Sequence, residues 1–352
     1  EKMSKILHLC SNAIIAVNEA MSSDEFATFV QNSSSGDDSS ASLQLWQDLL
    51  ILQSMAVPNI EGIDTDPVRD AISATVNESL EYLQNYLPLP IFLASTTTLI
   101  KDAESPEVRS RALRLVATRV DNVPPGSPEA SLFCDLLHEL ISLVKGPKDT
   151  PLQSLSAGTQ MVQQYSFFAI ESIVRAVCPV DSWKSSQDGS SISNKDLDSA
   201  LDVTTSILLS ASDTLEDVTA SIESKHLHRL SGLLRAANGC CARLVQACGP
   251  RSLPFLSKTM EAITKDFSSA HDLFASGSEN SHLTHHLVLI QVSTLQLLDD
   301  LIQAIPQFVS PYIEALLSET VMRSKFLKAD AGDDREAGKD RNVELKQQAV
   351  KS

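Results

Sequence analysis

Apolar residues recur along this chain at three- and four-residue steps or their sums, which is the spacing of one face of an α-helix. Leu283, Leu287, Ile290, Leu297 and Leu301 follow this spacing within one stretch. Long runs of Leu, Ala, Ser and Ile show no strand-like alternation. With 352 residues, 43% of them hydrophobic, the chain can bury a large core. The pattern therefore predicts an all-α fold in which helices pack on helices.

The periodicity and its interruptions predict the order of the elements. We predict helices at about 3–22, 42–57, 66–86, 89–102, 105–120, 128–145, 151–177, 196–222, 226–248, 251–267, 282–304, 307–326 and 338–350. Ser- and Gly-rich stretches at 33–42 and 182–194 are too polar to be buried and are predicted connectors. The predicted organisation is helical repeats over 1–180, a flexible loop over 181–195, further helical repeats over 196–327, and a charged loop with a terminal helix over 328–352.

One segment, 87–120, contains a complete helical pair with a short polar turn. Ser105 is the predicted N-cap of its second helix, Pro106 lies in the first turn, and Val108 begins the buried side. Pro106, Glu107, Val108 and Arg109 resemble the Pro-x-Val-Arg opening of the second helix in a HEAT repeat. The resemblance implies an α-solenoid of stacked antiparallel helix pairs, in which Arg109 pairs with acidic groups in an adjacent turn.

Weaker copies of this signature occur elsewhere. Asp66, Pro67 and Arg69 match the same opening with one residue fewer between proline and valine, and positions 69 and 109 are 40 apart. Pro254 and Pro311 lie in segments that resemble the opening of a first helix. The resemblance assigns structural roles within the repeat to all of these residues.

A basic stripe on the helix after Pro106 is the only candidate interaction surface that the sequence indicates. Arg111, Arg114 and Arg119 could form it, although a solvated helix face that balances the acidic surface explains them better. The formal net charge of the chain is −17, which disfavours long-range attraction to a phosphate backbone. We therefore expect contact with RNA to be local or to be made by protein partners.

The stretch 287–317, LVLIQVSTLQLLDDLIQAIPQFVSPYIEALL, resembles the family of the U3 small nucleolar RNA-associated protein 10. That family consists of large HEAT-repeat scaffolds of the small-subunit processome. The resemblance implies a nucleolar segment without catalytic residues or cofactors. Its expected partners are other ribosome-assembly proteins and the U3-containing pre-ribosomal particle, reached through protein contacts, and its expected role is support of pre-ribosomal RNA processing. The alternative is a HEAT adaptor of another system, such as a nuclear transport receptor.

Patterns that carry catalytic or metal chemistry are missing from the sequence. No phosphate-binding GxxxxGK[ST], HExxH or GxSxG motif occurs, and the six cysteines form no CxxC pair. His282, His285 and His286 are better explained as an exposed helix start than as metal ligands. No uninterrupted apolar run reaches the roughly 18 residues of a membrane helix. We expect no enzyme, metal, small-molecule substrate or membrane segment, and since the chain begins at Glu1 without Met, we expect a part of a longer protein whose targeting signal is not visible.

Overall fold

The computed structural model describes residues 88–146, 150–178, 192–221, 224–275 and 281–317, and all regular secondary structure in these residues is helical. The predicted all-α class is thereby confirmed. The predicted helices before residue 88 and after 338, the connector at 33–42, the tail from 328 and the residues Asp66, Pro67 and Arg69 lie outside the described residues. By its internal contacts the chain divides into two compact units, Glu1–Asn122 and Val123–Ser352.

The described part of the first unit is a pair of helices, α1 (Leu89–Asp102) and α2 (Pro106–Asp121). As predicted, the Ser105 side chain accepts a hydrogen bond from the Val108 N–H, and Pro106 occupies the first turn of α2. Val108 is 5% exposed. The two helices pack together through an apolar interface that includes fully buried Phe92. Local capping and helical periodicity thus account for this pair.

The described part of the second unit contains eight α-helices. They are α3 (Pro128–Ser131), α4 (Leu137–Lys145), α5 (Ala157–Val177), α6 (Asn194–Ser221), α7 (Ser224–Cys248), α8 (Leu253–Ala275), α9 (Ser281–Ala304) and α10 (Pro306–Leu317). Short 3-10 helices span Leu132–Leu136, Leu152–Ser154 and Gly249–Ser252.

Three predicted helices differ by more than two residues from the helices of the structure. The predicted helix at 128–145 is two α-helices joined by a 3-10 segment, the one at 151–177 begins only at Ala157, and the one at 251–267 continues to Ala275. Ser156 causes the later start, because its side chain accepts a hydrogen bond from the Thr159 N–H and caps α5. Pro254 lies at the start of α8, as the repeat resemblance implied, but Pro311 lies inside α10, which begins at Pro306. Pro311 therefore does not open a helix.

The long helices of the second unit form two rows, here called the even row (α4, α6, α8) and the odd row (α5, α7, α9). Within each row, every helix contacts the next member of that row. Across the rows, α4 contacts α5, α6 contacts α7, and α8 contacts α9. The core lies between the rows and is lined by fully buried side chains such as Phe167, Leu234 and Ile290. α10 contacts both α8 and α9.

Polar contacts give the direction and the register of the helices within each row. Three ion pairs join α6 to α8 or to the 3-10 helix just before it: Asp198 with Arg251 of that 3-10 helix, Asp202 with Lys258, and Asp213 with Lys265. Their partners are 53, 56 and 52 residues apart in sequence. Three hydrogen bonds join α7 to α9: Ser231 to the His286 carbonyl, Asn238 to Ser293, and Gln246 to Asp300, with separations of 55, 55 and 54 residues. Because residue numbers rise together on both partners, neighbouring helices of a row run in the same direction.

The Ser-rich connector predicted at 181–195 falls between α5 and α6, and residues 179–191 lie outside the described ones. The helices on either side of it belong to one compact unit, since α4 packs on α6 and α5 packs on α7. The division into units instead follows Asn122. A polar linker sequence therefore does not coincide with a unit boundary here.

Within α9, the stretch His285–Ala304 is long and apolar enough to cross a membrane by length and composition. The stretch is interrupted by polar residues such as Gln291, Asp299 and Asp300, so it qualifies by its average hydropathy and contains no uninterrupted apolar run of membrane-spanning length. Of the apolar window, 44% is buried inside the structure, where α9 contacts α7, α8 and α10. This packing is that of a core helix.

Candidate partner-binding surface

Arg109, which the repeat resemblance assigned to an acidic partner, contacts backbone carbonyls. Its Nε donates to the Ala103 carbonyl at 2.8 Å, and a terminal nitrogen donates to the Lys101 carbonyl at 3.4 Å. Both carbonyls lie at the end of α1, where helix carbonyls lack partners within the helix. Arg109 therefore ties the end of α1 to α2, which is a structural role.

The three arginines of the predicted basic stripe on α2 differ in their exposure and contacts. The Arg119 guanidinium lies 5.9 Å from the centre of the Phe92 ring and so rests against α1. Arg114 is exposed and Arg111 is half-buried. At roughly 100° per residue, Arg114 and Arg119 are about 140° apart around the helix axis, and Arg111 lies between them. The three arginines thus share a broad side of α2, and of the three only Arg114 is exposed.

Polar side chains of α5 lie over two glycines of α7, on the odd row of the second unit. A Cβ atom added at Gly232 would lie 2.8 Å from the Gln164 Oε1, and one added at Gly239 would lie 2.9 Å from the Glu171 Oε2. The two glycines are seven residues apart, and so are the two polar residues that cover them. The missing side chains give Gln164 and Glu171 room beside the backbone of α7.

A chain of charged and amide groups crosses the odd row near the ends of its helices. We call it the Arg243 cluster, and its members are Glu171 and Arg175 on α5, Arg243 and Gln246 on α7, and Asp300 on α9. Arg175 pairs with Glu171. The terminal nitrogens of Arg243 donate to the Gln246 Oε1 at 2.7 Å and to the Arg175 carbonyl at 3.4 Å. Gln246 then donates to the Asp300 Oδ1 at 2.8 Å. The cluster thus links three helices.

Partial burial sets the electrostatics of the Arg243 cluster. Burial, followed by the charge of Arg175, lowers the pKa of Arg243 from its ordinary value. Burial, followed by the charge of Asp299, raises the pKa of Asp300, while its hydrogen bond from Gln246 acts in the opposite sense. Charged side chains held by fixed partners lose little further entropy on binding, so they are suitable contacts for a macromolecule.

In the described part of the chain, the cysteine thiols are weak nucleophiles. Burial raises the pKa of Cys241 and of Cys248 to about 12, and it also raises the pKa of Cys178 and Cys240. Half-buried Cys134 has its pKa raised to about 11, chiefly by burial. A thiol must lose its proton to act as a nucleophile. These thiols are therefore neutral, apolar core groups at neutral pH.

Two histidines that are far apart in the sequence lie side by side in the structure. His228 on α7 lies beside His286 on α9, with ring centres 4.8 Å apart, and His285 lies 5.7 Å from His286. The side chain of His282 is outside the described residues. In the described ranges, no group of three or more His, Cys, Asp or Glu residues is arranged to hold a metal ion.

Sequence reasoning missed the Arg243 cluster, because its members are 54 to 68 residues apart wherever they join different helices. Its only local signal was the matched seven-residue spacing of the two glycines and of their polar neighbours on α5. No protein-family model matches this chain, and neither a curated protein nor a solved structure matches it. The class that the fold defines is thus an all-α protein with two rows of long helices in its second unit.

Proposed function

We propose that this chain is a non-catalytic scaffold, an α-solenoid of stacked antiparallel helix pairs that holds macromolecular partners. The observation that carries this proposal is the recurring register within the rows, where α6 meets α8 and α7 meets α9 at separations of 52 to 56 residues. A near-constant separation in both rows is expected when one helical pair is stacked on the next. Solenoids of this kind offer long surfaces on which several partners can bind at once.

The separation exceeds the 40 residues between the two Pro-Val-Arg-like openings. Helix length accounts for the difference, because α6, α7, α8 and α9 have 28, 25, 23 and 24 residues. Irregular repeats are compatible with a solenoid, since each pair need only bury its apolar face against its neighbours. The HEAT assignment rests on Pro106, Val108 and Arg109, where the capped turn and the buried valine support it.

The odd row is the proposed partner-binding side, and the Arg243 cluster is its centre. Asp299 and Asp300 place two carboxylates there, beside the exposed Gln303. The formal net charge of the chain, −17, favours basic proteins over nucleic acid as partners. We propose that this segment supports small-subunit pre-ribosome assembly in the nucleolus. The sequence basis for this role is the family resemblance of the thirty-one residues 287–317. A nuclear transport adaptor remains the second candidate, because the same architecture and charge suit it.

Recovery of RNA and protein with the tagged full-length protein tests the assignment. We expect U3 RNA and ribosome-assembly proteins to be enriched, whereas enrichment of a nuclear-transport GTPase would select the second candidate. The 352-residue chain by itself should bind naked RNA weakly, because sequence-independent affinity needs several cationic contacts that release counterions. Tight, steeply salt-dependent binding to naked RNA would contradict a protein-mediated association.

A charge reversal on the odd row separates this surface from the rest of the molecule. Asp299→Lys should reduce recovery of basic partners several-fold, because it replaces attraction with repulsion at the proposed contact. Glu261→Lys is the matched control, since Glu261 is an exposed carboxylate on α8 of the even row. Both variants should keep the helical content of the parent. Equal loss of partners in the two variants would place the contact elsewhere.

A further inference from the structure

A carboxyl group is buried where α6, α8 and α9 meet. Asp266 on α8 is 1% exposed, and Ser212 on α6 and Thr294 on α9 beside it are fully buried. The Thr294 Oγ1 lies 3.2 Å from the Asp266 Oδ2, and a side-chain hydrogen bond also links Asp266 to Ser212. The Asp266 Oδ1 has no hydrogen-bond partner in the described part of the chain.

The hydrogens of the two neighbouring hydroxyls have other acceptors nearby. The Thr294 Oγ1 lies 2.9 Å from the Ile290 carbonyl, and the Ser212 Oγ lies 3.0 Å from the Leu208 carbonyl. Each hydroxyl has a single hydrogen to donate. When these hydrogens remain on the backbone carbonyls, only oxygen lone pairs face Asp266. That arrangement suits a protonated carboxyl, which supplies the missing donor, and it does not suit a carboxylate, which only accepts.

Among the described residues, no cation pairs with the buried carboxyl of Asp266. The nearest described charged or titratable groups along the helices that meet here are Asp213 on α6, Arg235 on α7, Lys265 on α8, Asp299 on α9, and Tyr312 and Glu314 on α10. Lys265 instead pairs with Asp213 and Glu261. Burial raises the pKa of Asp266 to about 7, and the hydrogen bonds with Ser212 and Thr294 oppose this rise only in part.

The junction extends to a fourth helix. Asn238 on α7 donates from its Nδ2 to the Ser293 Oγ at 3.0 Å and to the Thr294 Oγ1 at 3.3 Å. Thr294 is therefore shared between the carboxyl of α8 and the amide of α7. Its position on α9 is six residues before Asp300 of the Arg243 cluster. A change at Asp266 can thus alter how α9 packs against α8 of the even row and against α7 of the odd row.

We propose that Asp266 is a proton-dependent latch, whose protonated carboxyl donates to the Thr294 Oγ1 and holds α8 against α9, and whose ionisation loosens this junction. The folded protein binds this proton more tightly than the unfolded chain. The stability contributed by the latch is therefore complete below the unfolded pKa and is lost as pH rises through the folded pKa, between about pH 4 and about pH 7. The latch would make the odd row sensitive to pH near neutrality.

Thermal unfolding at several pH values, with three proteins, tests the latch. We expect the wild-type midpoint to fall by about 5 °C or more between about pH 5 and pH 8. Asp266→Asn should remove most of this fall, because the amide stays neutral and can still donate to Thr294. Asp202→Asn is the control, since it removes an exposed carboxylate of α6 and should leave the fall unchanged. An identical fall in wild type and Asp266→Asn would overturn the proposal.

A measurement on the wild-type chain keeps the test decisive if Asp266→Asn does not fold. Hydrogen exchange of backbone amides in α8 and α9, corrected for intrinsic exchange rates, should be several-fold faster at about pH 8 than at about pH 6. Helix α5 serves as an internal reference, because its main helix contacts are with α4 and α7 rather than with α6, α8 or α9. Unchanged protection of α8 and α9 across this range would also overturn the proposal.

Discussion

Val108→Asp is expected to unfold the helical pair of the first unit. Val108 is 5% exposed at the start of α2, so the substitution places a carboxylate in an apolar interface without a cation to pair with. The expected loss is on the order of several kcal/mol, most of the stability of a small helical unit. Hydrogen exchange with peptide mapping measures it, because this method reports the two units separately.

Arg114→Ala is the matched control for this substitution. Arg114 is exposed on the same helix, and its truncation should change stability by less than about 0.5 kcal/mol. Equal protection of α1 and α2 in Val108→Asp and in wild type would show that Val108 does not face the interface. Loss of protection in both variants would instead indicate a general fragility of α2.

Phe167→Ala should destabilise the second unit by about 3 to 5 kcal/mol, whereas Phe168→Ala should cost much less. The two residues are neighbours on α5, yet Phe167 is fully buried between the rows and Phe168 is only half-buried. Removing the buried ring leaves a cavity that the helices cannot fill without moving. Denaturant unfolding followed by helical signal measures the difference.

Phe168→Ala is the control for Phe167→Ala, because both substitutions remove the same side chain from adjacent positions of the same helix. Phe168 lies near Tyr165, with ring centres 6.0 Å apart, so its truncation removes a surface contact rather than core volume. Similar losses for the two variants would mean that α5 is rotated about its axis relative to the structure described here.

Buried polar groups have a distinct role within the odd row. Apolar ridges of parallel helices can pack in registers that differ by one turn, because the side chains on one face are similar. Asn238 and Thr294 permit only the register in which their hydrogen bonds form, since an unpaired buried amide costs free energy. If the chain holds partners as proposed, this register also sets the spacing of the groups on the odd row.

Helix positions were predictable because their causes are local. Ser105 and Pro106 specify the start of α2 through contacts within four residues, and the apolar periodicity specifies which side is buried. Where the local signal was overlooked, the prediction failed, as at Ser156, which caps α5 six residues after the predicted start. The start of α10 at Pro306 agrees with the predicted start at about 307, whereas the repeat resemblance that placed a helix opening at Pro311 is wrong, because Pro311 lies inside α10.

The sequence by itself determined the helical class, the buried face of α2 and the acidic balance that disfavours direct binding to phosphates. Only the tertiary structure decided that the helices on both sides of the Ser-rich connector belong to one unit, and that Asp266 is buried with no cation beside it among the described residues. The Arg243 cluster likewise depends on contacts between residues 54 to 68 positions apart. The physical reason is that caps and periodicity act over one or two turns. Burial and pairing depend instead on which helices become neighbours, and this is decided by packing between distant segments.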